Sequence, residues 1–249
     1  MHVLSTLTLA LLVCLITICG CKTNANVDSI ANDNQSDQKQ AEPHFARGVQ
    51  NYHDGEFEAA IDEYSEAIRL DPQYAAAFNN RASAWRELGE LEKAIADYTE
   101  AARCMPTNAD IFFFRGRTSS DLGDYNKAIE DYTEAIRLSP NYAIAYNNRA
   151  TAWYFKHEFD NAINDYTEAI RIEPGNPEIY IFRGRTWFHI GKHDKAIEDY
   201  TEAIRIDPNC AAAYSDRATA LETEGRLQKA AEDRIEANRT GTQDQGSGG

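Results

Sequence analysis

Residues 143–176, AIAYNNRATAWYFKHEFDNAINDYTEAIRIEPGN, and residues 177–210, PEIYIFRGRTWFHIGKHDKAIEDYTEAIRIDPNC, are two consecutive lines of one pattern, equal in length. Laid one under the other, they share an Arg at the seventh place, a small residue at the eighth, and the string Asp-Tyr-Thr-Glu-Ala-Ile-Arg-Ile in the second half. The frame extends outward without a gap, with starts at Ala41, Ala75, Ala109, Ala143, Pro177 and Ala211. Self-similarity at this period marks a repeat architecture, in which each unit buries its apolar side against its neighbours.

The columns say what each unit is. Position 8 holds Gly48, Ala82, Gly116, Ala150, Gly184 and Ala218, and position 20 holds Ala60, Ala94, Ala128, Ala162, Ala196 and Ala230. Position 27 holds Ala67, Ala101, Ala135, Ala169, Ala203 and Ala237. Small residues there let two helix backbones approach closely. Tyr64, Tyr98, Tyr132, Tyr166 and Tyr200 at position 24 fill the gaps, with Ile61, Ile95, Ile129, Ile163 and Ile197 at position 21. Positions 20, 21, 24, 27 and 28 have the spacing of one helical face. Gly55, Gly89, Gly123, Gly191 and Gly225 at position 15 end the first helix, His157 being the exception. Pro72, Pro106, Pro140, Pro174 and Pro208 stop the second and turn the chain into the next hairpin.

This column pattern resembles the tetratricopeptide repeat (TPR) family over residues 41 to about 239. The resemblance implies an all-α fold, a right-handed superhelical solenoid of six helix-turn-helix hairpins at 41–74, 75–108, 109–142, 143–176, 177–210 and 211–239. It also implies that the first helices line a concave groove in which partner proteins bind. A superperiod of two repeats overlies the shorter one: Asn79-Asn80-Arg81-Ala82 recurs as Asn147-Asn148-Arg149-Ala150, and Phe114-Arg115-Gly116-Arg117-Thr118 as Phe182-Arg183-Gly184-Arg185-Thr186. The last repeat has Arg234 for Tyr, Ala231 for Ile and Asn238 for Ile, so its second helix reads as a polar cap on the stack.

Invariant columns read as structure. Arg47, Arg81, Arg115, Arg149, Arg183 and Arg217 at position 7 face Glu63, Asp97, Asp131, Asp165, Asp199 and Asp233 at position 23. A ladder for acidic ligands is one reading; an ion pair inside each hairpin is favoured, because the Arg fork matches a carboxylate and recurs in every copy. Specificity belongs to the columns that vary. In the family these are positions 2, 5, 9, 12 and 13, which places Asn79, Ser83, Arg86, Phe113, Arg117, Asn147, Thr151, Tyr154, Phe155, Ile181, Arg185, Phe188 and His189 in the implied groove. Aromatic and Arg groups on such a face are the usual anchors of binding energy; packing between repeats is the alternative for the aromatics. Co-chaperone TPR domains grip a C-terminal carboxylate with a Lys/Asn clamp, and Asn80 and Asn148 match its middle element. No repeat has Lys at position 2, where Glu42, Ala76, Asp110, Ile144, Glu178 and Ala212 stand, so that mode of binding is not expected.

The formal net charge of −15 argues against nucleic acid and against docking on anionic lipid through a basic patch. No phosphate loop or nucleophile motif appears, so neither catalysis nor a cofactor is expected. His189 and His193 have metal-like spacing, but a turn at Gly191 lies between them, and no metal site is expected. Of five cysteines, Cys14, Cys19 and Cys21 crowd the N-terminal segment, and Cys104 and Cys210 are too far apart to bridge.

The N-terminus reads as an export signal. Residues 1–20 carry no charged side chain, and 3–20 are apolar or small. Ile18-Cys19-Gly20-Cys21 resembles the bacterial lipobox, which implies cleavage, a fatty-acylated Cys21 and membrane anchorage through lipid. An uncleaved transmembrane anchor and a plain secretory signal are the alternatives. Lys22, in place of the Asp that retains such lipoproteins at the inner membrane, points to the bacterial outer membrane, facing the periplasm. Residues 21–40, rich in Asn, Asp, Ser and Gln, read as a flexible tether, and 240–249 as a disordered tail. The function expected is a protein-interaction scaffold at the cell envelope. A self-associating structural protein, or a non-catalytic subunit of an envelope protease or peptidoglycan enzyme, is the alternative.

Overall fold

The computed structural model describes residues 24–244, with side chains described from 39 to 241. The signal segment and Cys21 lie outside the described residues. Among the described residues the regular elements are twelve α-helices: α1 (Asn24–His53), α2 (Phe57–Leu70), α3 (Ala75–Glu87), α4 (Leu91–Cys104), α5 (Ala109–Asp121), α6 (Tyr125–Leu138), α7 (Ala143–Phe155), α8 (Phe159–Ile172), α9 (Pro177–His189), α10 (His193–Ile206), α11 (Ala211–Thr223) and α12 (Leu227–Asp244). The first helix of each hairpin ends in a left-handed residue. Five of these are the glycines of position 15, at φ between 72° and 83°; the sixth is His157, at φ 61°. A side chain at that backbone conformation is strained, by roughly 1–2 kcal/mol.

The chain forms two compact units that divide between Ala77 and Phe78. In the first, α1 packs along α2, with Ala41 and Ala67 fully buried and the ring of Phe45 against Tyr64 (5.8 Å) and Tyr74 (4.9 Å). The Tyr74 hydroxyl donates to Glu42 (2.6 Å), and Arg47 donates to Glu63 (3.0 Å). α1 also corrects the expectation of a flexible tether: the backbone is helical from Asn24, well before the repeat begins at Ala41. Once a docked turn has nucleated a helix, each residue added upstream gains a backbone bond at little further cost. Pro43 forfeits one such bond, and the helix continues past it.

In the second unit each helix from α4 to α12 packs against the next. The first helices of successive hairpins also meet, α5 with α7, α7 with α9 and α9 with α11, whereas α6, α8 and α10 do not come as close to one another. That crowding puts the first helices on the concave side. Between the helices lie the alanines of positions 20 and 27 and the tyrosines of position 24, at most 2% exposed apart from the half-buried Ala237 of the last hairpin. Close approach is tightest where position 8 is Gly: a Cβ on Gly184 would stand 2.7 Å from the Tyr200 ring.

The invariant arginines hold this stack together. Each forks onto the Asp of its own hairpin: Arg81 on Asp97, Arg115 on Asp131, Arg149 on Asp165, Arg183 on Asp199 and Arg217 on Asp233, with N···O distances of 2.6–2.9 Å. The remaining guanidinium nitrogen reaches back to the Thr of the preceding second helix, from Arg115 to Thr99 (3.2 Å), Arg149 to Thr133 (2.9 Å), Arg183 to Thr167 (3.0 Å) and Arg217 to Thr201 (3.0 Å). Burial raises the carboxyls of Asp131 and Asp199, and the facing Arg opposes that rise. The structural reading of the Arg column holds.

The superperiod has a physical form. The hairpin beginning at Ala109 closes with Tyr142, whose hydroxyl donates to Asp110 (2.6 Å) while its ring lies 5.2 Å from Phe113. The flanking hairpins close instead with Asn108 and Asn176, which cap α5 and α9 by accepting from the backbone N–H of Asp110 and Glu178. At the far end α12 closes the stack. Arg234 turns back onto α11, donating to Ser215, Thr219 and Glu222 (3.1–3.2 Å). The tail expected from residue 240 is corrected: α12 runs on to Asp244 and buries Thr240, with Gly241 placed near Ala211.

Candidate functional site

The inner face of the second unit is built from positions 5, 9, 12 and 13 of the first helices. Two of the expected ligand contacts are withdrawn from it. Phe113 is 3% exposed, against Tyr132 and Tyr142, and Ile181 is 5% exposed, in the core between α9 and its neighbours. At position 5 an apolar side chain completes the packing between repeats and is not presented to solvent.

Ser83 and Thr151 are turned partly inward. Their hydroxyls bond the phenols of Tyr98 and Tyr166 (both 3.0 Å) and the carbonyls of Asn79 and Asn147. Burial pushes the Tyr166 hydroxyl up to about 12, so it stays a neutral donor. Asn79 and Asn147, in the same register two repeats apart, each hold a buried Oδ1 that accepts nothing among the described residues. Arg86 is fixed across the repeat boundary by Asp121 (3.0 Å), and Arg185 by Asp216 (2.6 Å). Arg117 is exposed and makes no ion pair among the described residues. Phe188 is half-buried against His193 (5.0 Å), and His193 bonds Glu224 (2.7 Å).

The most open part of the face is aromatic. Phe155, 52% exposed, stacks flat on Tyr125 at 5.1 Å and 10°. Tyr154 meets Phe155, Phe159 and His189 edge-on at 5.7–5.8 Å, and Phe159 lies 4.7 Å from His189. The structure thus brings Tyr154, Phe155 and His189 together. It adds Tyr125 and Phe159, which the reading of first-helix columns missed. Their signal was position 17, just past the turn, where Phe57, Leu91, Tyr125, Phe159 and Leu227 form an apolar column. His189 and His193 are held apart, one against aromatic rings and the other on a carboxylate. Among the described residues no group of three His, Cys, Asp or Glu side chains is placed to hold a metal ion, and Cys104 and Cys210 are free thiols.

Family models for the tetratricopeptide repeat match residues 75–108, 143–176 and 177–210, and a further TPR model matches 50–85 and 116–157. The chain belongs to the TPR family. No curated protein matches it in sequence. Among solved TPR-type structures, MamA is 28% identical with a TM-score of 0.63, covering 66% of this chain and 95% of its own. YrrB, described as a TPR protein with an unusual peptide-binding site, is 22% identical with a TM-score of 0.62, covering 70% of this chain and 89% of its own. The C-terminal part of a TPR repeat-containing protein from Cytophaga hutchinsonii reaches a TM-score of 0.69 at 18% identity, over 79% of this chain and 78% of its own. These last two likenesses show the fold. TPR domains bind other proteins or peptides, and the aromatic face of α7 and α9 lies where such a repeat has surface to offer.

Proposed function

We propose that this TPR protein is a non-catalytic scaffold that holds an extended peptide or a helix of a partner protein against the inner face of α3, α5, α7 and α9. The observation that carries the reading is Phe155, a large ring left half in water on a pedestal of packed aromatics. A solvent-facing aromatic with a rigid support gives up little side-chain entropy when a partner covers it. Arg117, exposed and without an ion pair among the described residues, adds a cation suited to a partner carboxylate.

We further propose that the scaffold works at the bacterial cell envelope, fixed to the outer membrane by lipid on Cys21. The lipobox-like Ile18-Cys19-Gly20-Cys21 after an uncharged apolar run supports that placement. Among the described residues no helix is long and apolar enough to cross a membrane. Self-association is the second reading, favoured by Leu227 and Ile235 on the terminal helix, both 66% exposed. A photo-crosslinking residue at Phe155, with exposed Glu130 on α6 as control, tests the groove in cells. Capture of a partner from position 155 and not from 130 supports it; capture from 130 alone refutes it. Light scattering then separates a captured second copy from a different protein.

A further inference from the structure

The outer face of the last hairpin carries a cleft of about 340 Å³. Its floor is Ile197 and Leu221, and Arg217, Arg226 and Lys229 stand at its rim together with the carboxylates of Glu232 and Asp233. The other hairpins show what this place is shaped to hold. Position 11 is Trp85, Trp153 and Trp187 in three of them and Leu221 in the last. Trp153 packs on the cluster that contains Ile129 of the preceding hairpin, as Leu221 packs beside Ile197. A lysine caps each indole. Lys93 and Lys195, both at position 19, stand 4.4 Å from the ring centres of Trp85 and Trp187, and Lys156 stands 5.5 Å from that of Trp153. The hairpin with Ser119 at position 11 has no indole there, and its Lys127 pairs with Asp124 (2.8 Å), as Lys93 pairs with Glu90 (3.1 Å) while also covering Trp85. In the last hairpin Lys229 occupies position 19, but the residue below it is Leu, and Lys229 is exposed and makes no ion pair among the described residues.

We propose that this cleft binds a tryptophan side chain of a partner protein, presented in an acidic segment. The incoming indole would lie on Ile197 and Leu221, with Lys229 over its face, as Lys93 lies over Trp85. The acids follow from the rim. Arg217 is occupied by Asp233, but Arg226 reaches only Asp194, at a loose 3.8 Å, so it and Lys229 are left to meet partner carboxylates. The lining carries three cations against two carboxylates, one of them the Asp233 already held by Arg217, a small positive excess on a chain of net charge −15. The site is on the opposite side of the hairpin from the groove and is independent of it.

Isothermal titration of the full chain with the peptide acetyl-Glu-Glu-Trp-Glu-Glu-amide tests the proposal, with the Leu counterpart and free N-acetyltryptophan as comparisons. The Trp peptide is expected to bind at least ten-fold more tightly than the Leu peptide and more tightly than N-acetyltryptophan. Leu221→Trp, which supplies the missing ring from within, is expected to abolish binding. Lys229→Gln, a change at an exposed site that leaves the fold intact, is expected to weaken it about 2–5-fold, the size of an exposed cation–π contact. No binding of the Trp peptide at millimolar concentration overturns the proposal. So does undiminished binding by both variants, and so does binding of free N-acetyltryptophan with exclusion of the peptide, which would make this a small-molecule site. A thermal melt of Leu221→Trp that matches the parent shows that lost binding is not lost folding.

Discussion

Replacing Arg115 with Met should cost this protein about 3 kcal/mol of stability at neutral pH, and most of that cost should vanish in acid. The guanidinium gives two bonds to Asp131, at 2.9 and 2.6 Å, one to Thr99 at 3.2 Å, and sits 5.5 Å from the Phe112 ring centre. Met keeps much of the packing and none of the charge. Asp131, 7% exposed, would be left ionised with no cation to face. Stranding a buried charge in this way costs roughly 3–5 kcal/mol, and the residual exposure of Arg115 argues for the lower end. The pH dependence has a definite sign. Burial already raises the Asp131 carboxyl, with Arg115 as the main opposing influence, so removing Arg115 raises it further. A carboxyl raised in the folded state binds a proton more readily folded than unfolded, so its penalty is full above the folded value and fades as pH falls toward the unfolded one, about 4. Urea unfolding of parent and variant at pH 7.5 and pH 4.5 should therefore show the gap shrinking in acid. Adding Asp131→Asn to the variant should recover at least half of the loss at pH 7.5. A gap under about 1 kcal/mol at pH 7.5, the size of an exposed pair, would refute the reasoning. A gap unchanged at pH 4.5 would refute it as well.

His157→Gly should raise stability by about 1 kcal/mol in the same urea experiment, because it relieves the one left-handed side chain among the described residues. Gly184→Val should lower it by about 1–3 kcal/mol, since the new Cβ meets the Tyr200 ring at 2.7 Å. Phe155→Ala should cost less than about 1.5 kcal/mol of stability, the worth of its stack on Tyr125, while reducing partner capture several-fold in a pull-down. For the proposed anchor, growth with a labelled fatty acid should mark the parent chain, and Cys21→Ala should carry no label.

The hairpins were legible because their signals are local and repeated. A Gly at position 15, a Pro at position 32 and a Tyr among alanines each act within a few residues of themselves, and the copies confirm one another. The Arg–Asp pair was legible for the same reason. What the columns did not reveal depends on direction and on neighbours. Position 5 is half-buried as Asn147 and buried as Phe113, whose ring packs against Tyr142. Phe155 and Tyr154 were placed on the face by their spacing, but their support from Tyr125 and Phe159 comes from the other helix of each turn, outside the first-helix columns. Helix α1 was missed upstream because composition reports a segment's own tendency and is silent on a docked turn from which it can grow.

The alternation of Tyr142 with Asn108 and Asn176 bears on how such a chain can change its length. A hairpin closed by Tyr leans its ring on the Phe of its own first helix, while one closed by Asn caps the helix that comes next. The two joints are not interchangeable. Excising the Asn-closed hairpin 143–176 would set Tyr142 ahead of α9 and leave that helix without its side-chain cap, whereas excising the Tyr-closed hairpin 109–142 removes ring and seat together. Excising or inserting two at once restores every joint. Recombination between copies is therefore filtered by fit, and loss of an Asn-closed hairpin should be tolerated less well than loss of a Tyr-closed one or of a pair.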